Sequence, residues 1–119
     1  MKNLANLFKA LSDETRLAMM NMLLRHGELC VCDFVETLGI TQSKASRHLR
    51  YLLNAGLLDD RRDGLWSYYR ITGDPGEQPE AVLQAVAPLL QEPMVDVERR
   101  LKKWFRSKNR RGACQRKPG

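Results

Sequence analysis

The sequence predicts a mostly α-helical domain that turns back on itself through a single β-hairpin. Three observations carry that expectation. Apolar residues recur at helical spacing through most of residues 1–58. Beyond Gly56 the helical period gives way to strand-like residues on either side of Asp63-Gly64, a strong two-residue hairpin signal. Helical spacing then resumes after a connector rich in Gly, Pro and Asp.

In chain order, Leu4, Leu7, Phe8 and Leu11 stand at i, i+3, i+4 and i+7 and predict a short amphipathic helix. Ser12 reads as the N-cap of the next, with Asp13 and Glu14 near its positive end. That helix turns Leu17, Met20, Leu23 and Leu24 inward and stops at Gly27. Its methionines, Met19, Met20 and Met22, read as core filler rather than metal ligands, because methionine is a soft packing residue. A third helix starts near Cys30–Val31 and runs through Phe34, Val35 and Leu38 to Gly39, and Thr41 caps a fourth. In the fourth, Ala45, Leu49, Leu52 and Leu53 form the inward stripe. At about 100° per residue the opposite face displays Ser43, Arg47, Arg50 and Asn54, with Lys44 and Tyr51 beside it. A short helix, a glycine-containing turn and a helix with a polar, basic face make a helix-turn-helix.

The hairpin reads as Leu57–Arg62 and Leu65–Ile71, with Arg61 and Arg62 near its tip. A hairpin directly after a helix-turn-helix is a wing. Thr72–Pro79 is a connector, followed by a helix carrying Val82, Leu83, Val86, Leu89 and Leu90 that Pro88 kinks or divides. Val97, Leu101, Trp104 and Phe105 mark a last helix. Residues 1–105 are thus expected to form a winged helix-turn-helix domain for DNA binding and dimerisation, and residues 106–119 a basic, disordered tail.

At 119 residues the chain is one domain near the size at which a partner chain helps. The formal charge of +6 is unevenly placed: residues 99–119 hold ten of the 20 Lys/Arg and no acid, so the tail is +10 and the rest −4. Such a tail either solubilises or adds non-specific attraction to phosphates. The longest nearly apolar run, Leu17–Leu24, is broken by Asn21 and too short to span a bilayer, and the N-terminus shows no signal-peptide pattern, so a cytoplasmic location without membrane contact is expected. Three cysteines in such a compartment argue against a disulfide framework.

Four segments together carry a resemblance: LFKALSDETRL, then ELCVCD, then TQSKASRHLRYLLNAGLL, then DGLWSYYRI. Across roughly residues 4–71 the chain resembles the ArsR/SmtB family of small winged-helix repressors, and ELCVCD resembles its arsenic-responsive branch. The resemblance implies a homodimer on an imperfect palindrome of double-stranded operator DNA, repressing an arsenic-resistance operon until As(III) or Sb(III) binds Cys30 and Cys32. Sensors of that branch place a third cysteine three residues after the second; here that position is Val35.

The residues support that chemistry on their own terms. Arsenite exchanges oxygen ligands for thiolates, and a helix N-terminus favours the thiolate form. Within a regular helix, residues i and i+2 point about 200° apart, so Cys30 and Cys32 grip one small atom only if that turn is held unwound or is unwound by the ligand. Cys114 either supplies a third thiolate or stays idle while water or a small thiol completes the site. For DNA, the candidates are Gln42, Ser43, Lys44, Arg47, His48 and Arg50 on the motif helix and Arg61 and Arg62 on the wing. For dimerisation they are Leu4, Leu7, Phe8, Leu11, Val82, Val86 and Leu90, which otherwise close the core of one chain.

A thiol-redox repressor of the same fold remains the alternative. A third alternative is a zinc, cadmium or lead sensor; the zinc-sensing members of the family it resembles use His and carboxylates on the late helix, and here no histidine follows His48, which disfavours that site. An enzyme with Cys30 as nucleophile lacks partners, because His26 and His48 are the only histidines and no hydrolase, zincin or phosphate-loop motif occurs. No enzymatic activity is expected.

Overall fold

The computed structural model describes residues 1–111, with side chains through Lys108. Helices α1 (Lys2–Leu11) and α2 (Glu14–His26) lead into a short strand β1 (Glu28–Cys30), and then into α3 (Val31–Leu38) and α4 (Gln42–Asn54). Strands β2 (Leu58–Asp63) and β3 (Trp66–Ile71) form the wing; α5 (Glu77–Val86), a 3₁₀ turn (Ala87–Leu90) and α6 (Val95–Arg111) follow. This is the winged helix-turn-helix expected from the sequence, mostly helical with one small sheet.

The sheet is larger than one hairpin. β3 lies between β2 and β1, antiparallel to both, with Cys30 opposite Tyr68 and Leu29 opposite Tyr69. Three residues are too few to show an alternating pattern in sequence, so β1 leaves no strand signal there. Its pairing matters, because it ties the cysteine segment to the wing.

Boundaries moved where local chemistry overruled the pattern. Asp13, not Ser12, caps α2, its carboxylate accepting from the Arg16 N–H at 3.0 Å. A carboxylate bears full charge at the helix dipole's positive end, where a hydroxyl offers only a lone pair. The hairpin loop is Gly64-Leu65 rather than Asp63-Gly64, since Asp63 pairs with Trp66. Gly64 takes φ +63°, the positive value that a type II′ turn needs at its first central position. α5 begins at Glu77 and includes Pro79, which is tolerated because the first helical turn has no intrahelical acceptor for its N–H groups. α6 continues past Phe105 to Arg111, although residues 106–111 carry no apolar period.

The core gathers Leu7, Met19, Met20, Phe34, Leu49 and Leu101, each 2% exposed or less. The three methionines of α2 are packed within it, as expected of filler. Of the proposed dimer stripe, Leu7, Leu11 and Val82 are buried in the chain's own core and Leu4, Val86 and Leu90 are half-buried, while Phe8 is 58% exposed. Among the described residues no helix is long and apolar enough to cross a membrane.

Candidate sensor site and nucleic-acid interface

The turn into α4 is built as its sequence requires. Gly39 closes α3 with φ +65°, and the Thr41 hydroxyl accepts from the Lys44 N–H at 3.1 Å. Ala45, Leu49 and Leu52 are buried, so Ser43, Lys44, Arg47, Arg50, Tyr51 and Asn54 face solvent together. Gln42 is half-buried at the helix start.

His48 differs from its neighbours. It is half-buried, with Nδ1 3.1 Å from Arg16 Nη1 and 3.9 Å from Asp13 Oδ2. Burial lowers its pKa below 6.5; Asp13 opposes this, and Arg16, Arg47 and Lys44 add to it. A guanidinium can only donate, so Nδ1 accepts and the ring is neutral, with its proton on Nε2. The longer approach to Asp13 would favour the cation, but the direct Arg16 contact and the burial outweigh it. Arg16 itself donates from Nε to the Ala10 carbonyl at 2.7 Å and from Nη2 to the Lys9 carbonyl at 3.1 Å, and lies 4.2 Å over the Tyr51 ring. It ties the end of α1 to His48 and Tyr51 of α4, a role no periodicity reveals.

The two wing arginines part company, because successive strand residues point to opposite faces. Arg61 makes a bidentate pair with Glu28 of β1 at 2.7 and 2.9 Å and stacks on Tyr68. Its guanidinium, as hydrogen-bond donor and then as charge, lowers the Glu28 pKa. Arg62 instead faces α4 across a cleft of about 310 Å³ that also takes in Gln42, Arg50, Trp66, Cys30 and Cys32.

Cys30 and Cys32 therefore line the cleft between the motif helix and the wing. Cys30 is the N-cap of α3, extended at φ −91° and ψ 166°, and Cys32 lies in the first turn. The expected divergence of i and i+2 side chains holds only when both residues are helical; here the cap residue stands outside the helix, and the sulfurs converge without any unwinding. The two are joined as a disulfide with Cα atoms 5.4 Å apart, where the composition argues against a disulfide framework. Both are buried, 2% and 5% exposed, in a small cluster apart from the main core, with Trp66, Tyr68 and Trp104 packed around them. Val35 packs in the main core instead. Cys114 lies outside the described residues.

Sequence reasoning missed Asp33. Its carboxylate is 2% exposed and accepts from Cys30 N–H at 2.8 Å, Trp104 Nε1 at 2.8 Å and Lys108 Nζ at 2.9 Å. Lys108 Nζ is also 3.7 Å from Cys30 Sγ. An acid at the third helical position was the available signal, since it completes a capping box. Nothing marked Lys108 among the other basic residues near the C-terminus. Ligand atoms of Cys30, Cys32 and Asp33 lie within 4.8 Å of one another. The two sulfurs suit a soft thiophilic centre, and the carboxylate oxygens are already engaged by nitrogen donors.

The family model "Bacterial regulatory protein, arsR family" matches residues 13–60, from the cap of α2 into the wing. The arsenic resistance transcriptional regulator ArsR2 of Pseudomonas putida is 39% identical over 97 residues, 82% of this chain and 84% of that one. The chain belongs to the ArsR family. Another ArsR-family relative, the arsenic resistance regulator ArsR1 of the same organism, is 45% identical over 85 residues, 71% of this chain. The match spans 66% of that relative's length, a little under two thirds. Among solved structures, the homodimeric winged helix-turn-helix DNA-binding domain Mb0332 of Mycobacterium bovis, described as a possible ArsR-family regulator, aligns with TM-score 0.59 and 33% identity over 76% of this chain and 83% of that one. The family is one of regulatory proteins, in accord with the expectation that the chain is not an enzyme.

Proposed function

We propose that this ArsR-family protein is a repressor that binds operator DNA as a homodimer and lets go when Cys30 and Cys32 take As(III) or Sb(III), derepressing an arsenic-resistance operon in the cytoplasm. One observation carries the reading: the cysteine pair, the motif helix and the wing border the same cleft. Once reduced, the two thiols exchange for oxygen ligands on the metalloid, their protons leaving with hydroxide as water. Cys114 is a candidate third thiolate; water or a small thiol is the other.

On the DNA side, Ser43, Lys44, Arg47 and Arg50 are the exposed reading face, with Gln42 and Arg62 at the cleft's rim. His48 contributes through Nε2–H, and Arg61 through its exposed edge beyond the pair with Glu28. A ligand in the shared cleft bears on Trp66 and on the spacing between wing and α4, so both cannot fit a groove as before. It shifts the equilibrium only by its differential affinity for the two arrangements, and couplings of about 1–3 kcal/mol suffice for a switch. Phe8 and the exposed Leu89 offer apolar surface for the partner.

The test is a fluorescence titration of labelled operator with As(III), Sb(III), Cd(II) and Zn(II) under excess reductant. Arsenite or antimonite should release the wild type and leave Cys30→Ser and Cys32→Ser bound; retention by arsenite-saturated wild type refutes the sensor reading. The disulfide favours a second reading, in which a peroxide takes two electrons from the thiols and the bridged form leaves DNA. Release by peroxide with silence toward arsenite under reductant would select it.

A further inference from the structure

The metalloid reading accounts for two sulfurs but not for the carboxylate buried beside them. Taking a carboxylate out of water costs several kcal/mol unless it is paired and hydrogen-bonded. A simple capping box would ask the Asp33 carboxylate to accept one bond, from the Cys30 N–H. Here the second oxygen, Oδ1, takes two more donors, Trp104 Nε1 at 2.8 Å and Lys108 Nζ at 2.9 Å, both from α6 and both more than seventy positions away. The same Lys108 reaches to 3.7 Å from Cys30 Sγ, and Trp104 packs on the cysteine pair.

We propose that Asp33, held by Trp104 and Lys108, is the positioning residue of the dithiol, and that α6 is a working wall of the sensor. The inference rests on the metalloid reading above and deepens it. Two physical effects make the assignment. First, the bond from Cys30 N–H to Asp33 keeps Cys30 extended, as the cap of α3. Were Cys30 to join the helix, its sulfur would swing about 200° from that of Cys32. Second, the Lys108 ammonium lies 2.9 Å from Asp33 Oδ1 and 3.7 Å from Cys30 Sγ, so one cation on α6 joins the carboxylate to a sulfur of the pair. Asp33 and Lys108 touch the sensor residues without supplying the bond to the metalloid; they decide whether the two sulfurs are presented together.

The experiment uses the full chain, reduced, and two readouts: arsenite affinity, followed by thiolate–arsenic absorption and by tryptophan emission, and operator affinity without arsenite. Lys108→Met should weaken arsenite binding about tenfold or more, the scale of a lost charge-assisted bond, and leave arsenite-free operator affinity within about twofold. Lys108→Arg, which restores the charge and the donor, should recover most of the loss. Should Lys108→Met fail to fold by circular dichroism, Trp104→Phe takes its place, keeping the ring and deleting one donor to Asp33. It should weaken arsenite binding in the same direction. A wild type that ignores arsenite overturns the metalloid reading and this inference with it. A wild type that binds arsenite and a folded Lys108→Met or Trp104→Phe that binds it equally well overturns the inference alone. So does a loss of operator affinity in step with the loss of arsenite affinity, which marks a purely structural contact.

Discussion

Arg16→Ala tests how the DNA-facing helix is held in place. The guanidinium donates to the Ala10 and Lys9 carbonyls at the end of α1, to the His48 ring, and stacks 4.2 Å over Tyr51. Bonds from charged donors contribute about 1.5–3 kcal/mol when buried; partly exposed as these are, about 0.5–1 kcal/mol each is the fitting scale. The cation–π contact adds about 0.5–1 kcal/mol. The variant should therefore lose about 2–4 kcal/mol, or roughly 8–16 °C in Tm for a domain of this size. Urea unfolding at fixed protein concentration measures it, the fixed concentration guarding against a shift from subunit association. Arg16→Lys keeps the charge and loses the fork and the stack, so it should recover less than half. Operator affinity should fall in Arg16→Ala too, because His48 and Tyr51 lose their backing. A loss under about 0.5 kcal/mol, the range of an ordinary surface change, would show that water satisfies those carbonyls as well as Arg16 does.

Three further outcomes are expected. Arg47→Ala should weaken operator binding by at least ~1 kcal/mol through loss of a base contact, read in a salt-matched titration; unchanged affinity removes Arg47 from the interface. Phe8→Glu should turn a micromolar dimer into a monomer by sedimentation without altering the circular dichroism spectrum, since Phe8 is 58% exposed; a persisting dimer places the interface elsewhere. The His48 pKa is lowered from 6.5 by burial, so the unfolded chain binds that proton first as pH falls. Its contribution to stability is complete above about pH 6.5 and is lost on acidification toward the lower folded value. His48→Gln should flatten that part of the stability–pH curve, and an unchanged slope assigns it to other groups.

The helices, the motif turn and the wing were legible because each rests on a local rule: periodicity for α1 to α4, Gly39 and Thr41 for the turn, Gly64 for the hairpin. What escaped depends on partners distant in sequence. β1 exists because β3 returns to pair with it, and α6 extends to Arg111 in a stretch without apolar period while Lys108 finds Asp33. The spacing of the cysteines puts them at the start of α3 but does not give their geometry, since a cap and a helical residue share a sequence spacing but not a backbone conformation. Arg61 and Arg62 look alike on paper; strand alternation sends one to Glu28 and the other to the cleft.

The cysteine cluster shares no buried residue with the main core. Among the described residues Trp104 alone packs against both, so chemistry at those sulfurs meets the leucine and methionine interior through one ring. On the metalloid reading proposed above, a protein so divided is suited to recycling: stripped of its ligand, it would return to its promoter without being refolded or replaced.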